Sequence, residues 1–282
     1  DKNEGKEWGE WEEPYRSPDR KAKSALKKEL AEEMKYYYFV QFMFYKQWAE
    51  LKAYANEKGI MIIGDMPLFV SLDSADVWAN PKLFQLNSEG QQTVVAGVPP
   101  DYFSEDGQLW GNPLYNWAEM EKDGFAWWKE RLSFALELFD GVRIDHFRAF
   151  ESFWSVKGTE KTAKNGKWVK GPGMKLIKVF NEVKGDKLII AEDLGFITDD
   201  VRELLVETGF PGMKVLQFAF YTEDSEYLPR CYKTTNTICY TATHDSDTSK
   251  SFIDEASLEV IERLDKETKL FKTKLKKAQT YP

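Results

Sequence analysis

Short apolar runs recur along the chain, each followed by a longer stretch with helical spacing. Residues 60–64, 141–145, 187–191, 214–218 and 237–241 read as strands. They are apolar throughout rather than alternating, which is the pattern of strands covered on both faces. Helices are expected over residues 21–56, 125–139, 175–183, 198–208 and 257–276. The first gathers Phe39, Phe42, Met43, Lys46 and residues 48–51 on one side and stops at Gly59. The fourth opens on Thr198-Asp199-Asp200, acids that suit the positive end of a helix. Strands that alternate with helices and are buried on both faces imply an α/β fold with a parallel sheet. At this length a β/α barrel leads.

Residues 67–116 break the pattern. They are long, rich in Pro and Gly and strewn with aromatics, and an irregular stretch of that size inside a domain usually carries function. No internal repeat is visible.

The 282 residues suffice for one large domain or two ordinary ones. A net charge of -8 and a pI near 5.1 exclude a nucleic-acid binder, which needs clustered Lys and Arg. The basic run at 269–277 alternates with apolar residues and reads as a solvated helix face. No apolar run reaches the length of a membrane span, so no membrane partner is expected. Residues 1–13 are polar and acidic, unlike a signal peptide. Cys231 and Cys239 lack metal or disulfide spacing, which suits a reducing compartment, and a cytoplasmic protein is expected. Aromatic residues reach 15%, with ten Trp. Such rings stack on the flat faces of sugars, although a large core consumes them too.

The chemistry sits at the strand ends. Asp145, Glu192 and Asp245 each follow an apolar run, and Asp65 follows residues 62–64 in the same way. In a parallel barrel all strand tips open on one face, where catalytic groups gather. One acid after a strand is often a helix cap. Four, two of them beside His146 and His244 and one two residues after Arg143, point instead to a hydrolytic or transfer enzyme. Glycosidic bonds need such carboxylates, one to attack the anomeric carbon and one to protonate the leaving oxygen.

The residues themselves go further. The run from Gly141 through Val142, Arg143, Ile144, Asp145, His146 and Phe147 to Arg148 resembles the nucleophile motif of the α-amylase superfamily in its amylomaltase form. Pro99-Pro100-Asp101-Tyr102-Phe103-Ser104 and Gln108-Leu109-Trp110-Gly111-Asn112-Pro113 resemble the acceptor-side loop of those 4-α-glucanotransferases. Gly64-Asp65-Met66-Pro67, Ala191-Glu192-Asp193 and Thr243-His244-Asp245 match the remaining signatures in order, so that the resemblance covers residues 59–248.

The resemblance implies a retaining double displacement on α-1,4-glucans, with maltooligosaccharides or starch-derived glucans as partners and no cofactor or metal. Asp145 would be the nucleophile. Glu192 would be the general acid and then the base, with a pKa raised by burial and neighbouring carboxylates. Asp245 would grip hydroxyls of the distorted reacting sugar. Arg143, two residues from Asp145 on one strand face, would keep the nucleophile ionised. Asp65 and His244 are expected to bind sugar hydroxyls, and His146 either does so or braces its strand end. Gln108 is expected to act as a hydrogen-bonding arm and Trp110 as a stacking plate, with a loop-pinning core role as the alternative for Trp110. Tyr102 and Phe103 divide between packing and sugar contact. An α-glucan hydrolase and a non-catalytic glucan-binding remnant are the competing readings. A plastid replaces the cytoplasm if the source is a plant or alga.

Ala149, Ala242 and Ser246 depart from the family pattern, and Ser246 lacks the amide usual beside the third acid. By resemblance the four acid-tipped strands are the third, fourth, fifth and seventh of a (β/α)8 TIM barrel, with residues 214–218 as the sixth. The chain is therefore expected to be a fragment, residues 1–282 forming an incomplete catalytic barrel with a loop-rich insert at 66–124 on the acceptor side.

Overall fold

The computed structural model describes residues 4–13, 15–17, 20–101 and 104–279. It divides into two compact units, Asp1–Glu192 with Phe196–Gly209, and Asp193–Gly195 with Phe210–Pro282.

In the first unit, α1 (Arg20–Glu29) and α2 (Ala31–Glu57) precede β1 (Ile63–Met66). The stretch expected to be irregular holds α3 (Ala75–Ala79), β2 (Val94–Val98) and β3 (Gln108–Pro113), followed by α4 (Trp117–Glu121). Then come α5 (Ala126–Leu138), β4 (Gly141–Ile144), β5 (Ser152–Lys157), β6 (Lys167–Lys170), α6 (Met174–Lys184), β7 (Leu188–Ala191) and α7 (Asp199–Thr208). Strands β1, β4 and β7 pair in parallel in that order, and β3-β2-β5-β6 form a separate antiparallel sheet. The second unit contains the parallel pair β8 (Gly212–Val215) and β9 (Thr237–Tyr240), then α8 (Ser249–Glu255) and α9 (Leu258–Gln279).

Two expected strands shift. The first begins at Ile63, because the preceding backbone is held by the end of α2 and by side chains as well as by a backbone bond from the Asp140 N–H to the Ile62 carbonyl at 2.9 Å. The Ile62 N–H donates to Asp140 Oδ2 at 2.8 Å, and Asn56 Nδ2 donates to the Ile60 carbonyl at 3.0 Å. Ile60 and Met61 stay exposed. The strand expected at 214–218 runs instead over β8 and then tightens into a 3-10 turn, Leu216–Phe220. That turn buries Gln217, Ala219 and Phe220, and Gln217 Nε2 donates to the Asp247 carbonyl at 2.7 Å.

Much of the aromatic excess is spent inside. Tyr115, Trp128, Phe150 and Phe180 are fully buried, with Trp128 edge-on to Phe150 (5.6 Å) and 5.7 Å from Phe180, which joins α5 to α6. Each such side chain contributes roughly 1.5–3 kcal/mol by leaving water. The Tyr115 hydroxyl donates to the Leu68 carbonyl at 2.6 Å and accepts from Arg131 at 3.0 Å, so its polar tip is satisfied. Trp48 of α2 reaches the end of α5, donating to the Leu138 carbonyl at 2.8 Å and packing 5.5 Å from Phe139. A Cβ on Gly64 would lie 2.2 Å from the Phe139 ring, so β1 needs a glycine just before Asp65. The rest of α2 buries no residue and exposes Tyr36, Tyr37, Tyr38, Phe39 and Phe42.

In the second unit Ala219, Phe220, Leu228, Phe252 and Val260 form the core, and Arg263 of α9 donates to the Phe220 and Tyr221 carbonyls. No helix among the described residues is long and apolar enough to cross a membrane.

Candidate active site

Parallel pairing in register brings three strand ends to one place. Asp65 stands opposite Arg143, Met66 opposite Ile144, and Ile144 opposite Ala191. The hydrogen bonding continues one residue past each end. The Asp145 N–H donates to the Met66 carbonyl at 3.0 Å, and the Glu192 N–H donates to the Ile144 carbonyl at 3.0 Å. Asp65, Asp145 and Glu192 are thus set side by side by the same ladder that builds the sheet.

Arg143 fixes two of these acids. Its Nη1 donates to both oxygens of Asp65 at 2.7 and 2.8 Å, and its Nη2 donates to Asp145 Oδ1 at 2.8 Å. The i, i+2 spacing puts Arg143 and Asp145 on one face, as expected from the strand period. Burial works against the guanidinium charge, but the hydrogen bond to Asp65 and the charges of Asp145, Asp65 and Glu192 outweigh it. The Arg143 pKa is raised and the cation is secure. Arg143 is largely buried, whereas the carboxylates it holds are 40% (Asp65) and 42% (Asp145) exposed, open enough to meet a ligand.

Glu192 is buried and gripped by the segment after β4. The His146 N–H donates to Glu192 Oε2 at 2.8 Å, and the Phe147 N–H donates to the Glu192 carbonyl at 3.2 Å. His146 adopts a left-handed backbone (φ 51°), uncommon for a residue with a Cβ. Its imidazole stands edge-on to Trp110 at 4.7 Å, with Phe69 at 6.4 Å, and its Nε2 is buried without a hydrogen-bond partner among the described residues. Burial, reinforced by the nearby Arg148 charge, pushes its pKa down to about 3, so the ring is neutral at ordinary pH.

Gln108 and Trp110 lie on one face of β3, and the Trp110 indole donates to Gln108 Oε1 at 3.1 Å. Trp110 is partly exposed, so it contacts His146 while keeping ring surface open. Tyr102 and Phe103 lie outside the described residues.

Asp245 and His244 belong to the second unit, in the turn after β9. The turn closes on itself. Ser246 Oγ accepts the Thr243 N–H at 2.9 Å and donates to the Thr243 carbonyl at 3.1 Å, while the Asp245 N–H donates to Thr243 Oγ1 at 3.3 Å. The serine hydroxyl thereby meets the hydrogen-bonding demand of the Thr243 backbone. His244 Nε2 lies 3.5 Å from Asp245 Oδ1, and both side chains are 67% exposed.

Sequence reasoning did not single out Phe69, nor Arg148 beyond its place in the motif. Phe69 left no signal, lying in a stretch with no periodicity. Arg148 was detectable as a charge next to a buried aromatic run. Among the described residues no group of three or more His, Cys, Asp or Glu could hold a metal ion.

Residues 1–280 match the family described as 4-alpha-glucanotransferase. The chain is 52% identical over 247 residues to a 4-alpha-glucanotransferase of Thermus thermophilus, covering 87% of this chain and 49% of that protein. It is 49% identical over 249 residues to the enzyme of that name from Clostridium butyricum, covering 88% and 51%. Among solved structures it is similar to the amylomaltase from Streptococcus agalactiae in complex with acarbose. That match has a TM-score of 0.88 and 42% identity, over 93% of this chain and 53% of the other. The chain spans about half the length of the curated relatives it matches. Its α/β architecture and its sequence place it together with them: the chain belongs to the 4-alpha-glucanotransferase family.

Proposed function

We propose that the protein containing this chain moves α-1,4-glucan segments from a donor glucan to an acceptor glucan or glucose, with retention at the anomeric carbon. Its relatives carry that activity in their names, and the carrying observation is the Arg143 bridge between Asp65 and Asp145 beside Glu192. Asp145, ionised against Arg143, attacks the anomeric carbon as Glu192 gives its proton to the departing glycosidic oxygen. A β-linked glucosyl ester and a shortened glucan result. The acceptor hydroxyl then attacks the same carbon and passes its proton to Glu192, which frees Asp145 and restores the α linkage. Asp245 holds hydroxyls of the reacting sugar, with Asp65 and His244 as further hydroxyl ligands.

Transfer prevails when a sugar occupies the acceptor position and water is kept out. Gln108, Trp110 and His146 form the wall suited to that task. The unpartnered His146 Nε2 is an acceptor or donor waiting for a hydroxyl. The S. agalactiae amylomaltase is in complex with acarbose, and an α-glucan at these strand ends is the corresponding reading. The three parallel strands of the first unit and the pair in the second are read as strands three to seven of a β/α barrel. Residues 66–124 are its acceptor-side insert, and the cytoplasm or a plastid is its home.

The full-length protein incubated with maltotriose should yield glucose together with a ladder of longer oligomers, resolved by chromatography. Asp145→Asn should abolish the ladder, a fall of about 10⁴-fold or more. Shortening without longer products would make the protein a hydrolase, and glucan binding without turnover would sink the mechanism.

A further inference from the structure

Arg148 is almost fully buried, yet its guanidinium forms no ion pair with a carboxylate among the described residues. Its Nη2 donates to Ser152 Oγ at 3.1 Å and its Nε to the Ser152 carbonyl at 3.4 Å, while Nη1 donates to the Phe196 carbonyl. The guanidinium carbon sits 3.9 Å over the Trp168 ring, close enough for a cation–π contact. A buried cation used in this way fixes two rings that remain in solvent, Trp168 at 37% and Phe196 at 67% exposure. The ring planes are 21° apart with centroids separated by 6.5 Å. That separation is too wide for face-to-face contact between planes so nearly parallel, so the rings lie offset, as two steps of one surface.

The position of this surface ties it to the catalytic strand ends. Phe196 follows Glu192 by four residues, Arg148 follows Asp145 by three, and the two are joined by a hydrogen bond. Polar groups rim it. Lys170, on the same face of β6 as Trp168, pairs with Glu151 and, at 3.0 Å, with Asp200 at the start of α7. The Trp168 indole N–H makes no hydrogen bond among the described residues, and Trp154 supports the ring edge-on at 5.2 Å. Flat apolar rings with a polar border suit a sugar, whose ring presents an apolar face and a girdle of hydroxyls.

We infer that Trp168 and Phe196 form a stacking plate for glucose units of an α-glucan beyond the reacting sugar, held in place by Arg148. The inference rests on the glucan-transfer reading above and specifies how long substrates are favoured over short ones. In the full-length protein, Trp168→Ala should raise KM for maltoheptaose about tenfold, with a smaller rise for maltotriose. The loss should fall on KM rather than kcat, and Trp168→Phe should restore most of it. Phe196→Ala removes an exposed ring without opening a cavity, and should shift KM in the same length-dependent way if Trp168→Ala fails to fold. Equal shifts for both lengths, no shift, or a loss of kcat alone would overturn the plate. If the wild-type protein fails to turn over maltotriose, calorimetric titration with maltoheptaose separates the two ideas. Weaker binding to the variants keeps the plate while the transfer reading fails, and unchanged binding overturns the plate as well.

Discussion

The segments carrying Asp145 and Asp245 look alike in sequence, each an apolar strand ending at an acid beside histidine, but they are held by different means. Asp145 is fixed by a cross-strand ladder and a shared cation: its N–H bonds to Met66, and its carboxylate meets an Arg143 that also grips Asp65. Asp245 is placed by a local turn in which Thr243 and Ser246 satisfy one another, and its carboxylate stays 67% exposed. A shared cation fixes one carboxylate, whereas the hydroxyls of Thr243 and Ser246 fix only the backbone that carries the other, whose carboxylate lies 3.5 Å from His244 Nε2. The first arrangement couples the position of Asp145 to the integrity of the sheet, whereas the second can be altered with little effect on the rest.

Removing the cation should break this contrast most severely. Arg143→Met removes the guanidinium that bridges Asp65 and Asp145 and should lower transfer by about 10²-fold through misplacement of Asp145. Stability should fall by about 1–3 kcal/mol, less than for a fully buried pair because both acids are partly solvated, as read from the urea midpoint. Unchanged rate and midpoint in this variant would show that Arg143 neither places Asp145 nor stabilises the strand ends. Ser246→Ala should have a smaller effect. Losing the hydroxyl leaves the Thr243 N–H and carbonyl without that partner, costing about 1 kcal/mol locally. The expected result is a drop of a few fold in kcat with a smaller fall in the urea midpoint than in Arg143→Met. Ser246→Asn, which can still accept the Thr243 N–H, should lose less.

A further effect is confined to acid. His146 has a folded pKa of about 3 against an ordinary 6.5, so between those values the unfolded chain binds the extra proton. Its contribution to stability is complete above pH 6.5 and is lost as pH falls toward 3. Melting temperatures of the full-length protein measured from pH 7 to 4 should decline less steeply in His146→Gln, which cannot take up that proton.

The strand-end acids were legible because each is local: an apolar run followed by a carboxylate states both the strand and its tip. The Arg143–Asp145 pairing followed from the two-residue period. The double use of Arg143 did not, because Asp65 lies 78 residues away and only strand order brings it close. The strands β2, β3, β5 and β6 went unread, since Lys167–Lys170 is short and Gly97 and Gly111 interrupt the β2 and β3 segments. The aromatic count pointed to sugar but could not separate Trp128, sealed in the core, from Trp110 and Trp168 at the surface. Neighbouring residues gave no sign of that difference, because burial depends on which elements meet.

The left-handed backbone at His146 has a consequence for how variation at that position will be read. The main chain there presents one N–H to the Glu192 side chain and the next to its carbonyl, while the imidazole turns to Trp110. Two duties therefore fall on one residue, and they make different demands. A library spanning every substitution at 146 should sort by backbone tolerance first, with Gly and Asn retaining the geometry around Glu192 and β-branched residues losing it. Only within the tolerant group would the chemistry of the side chain become visible to selection.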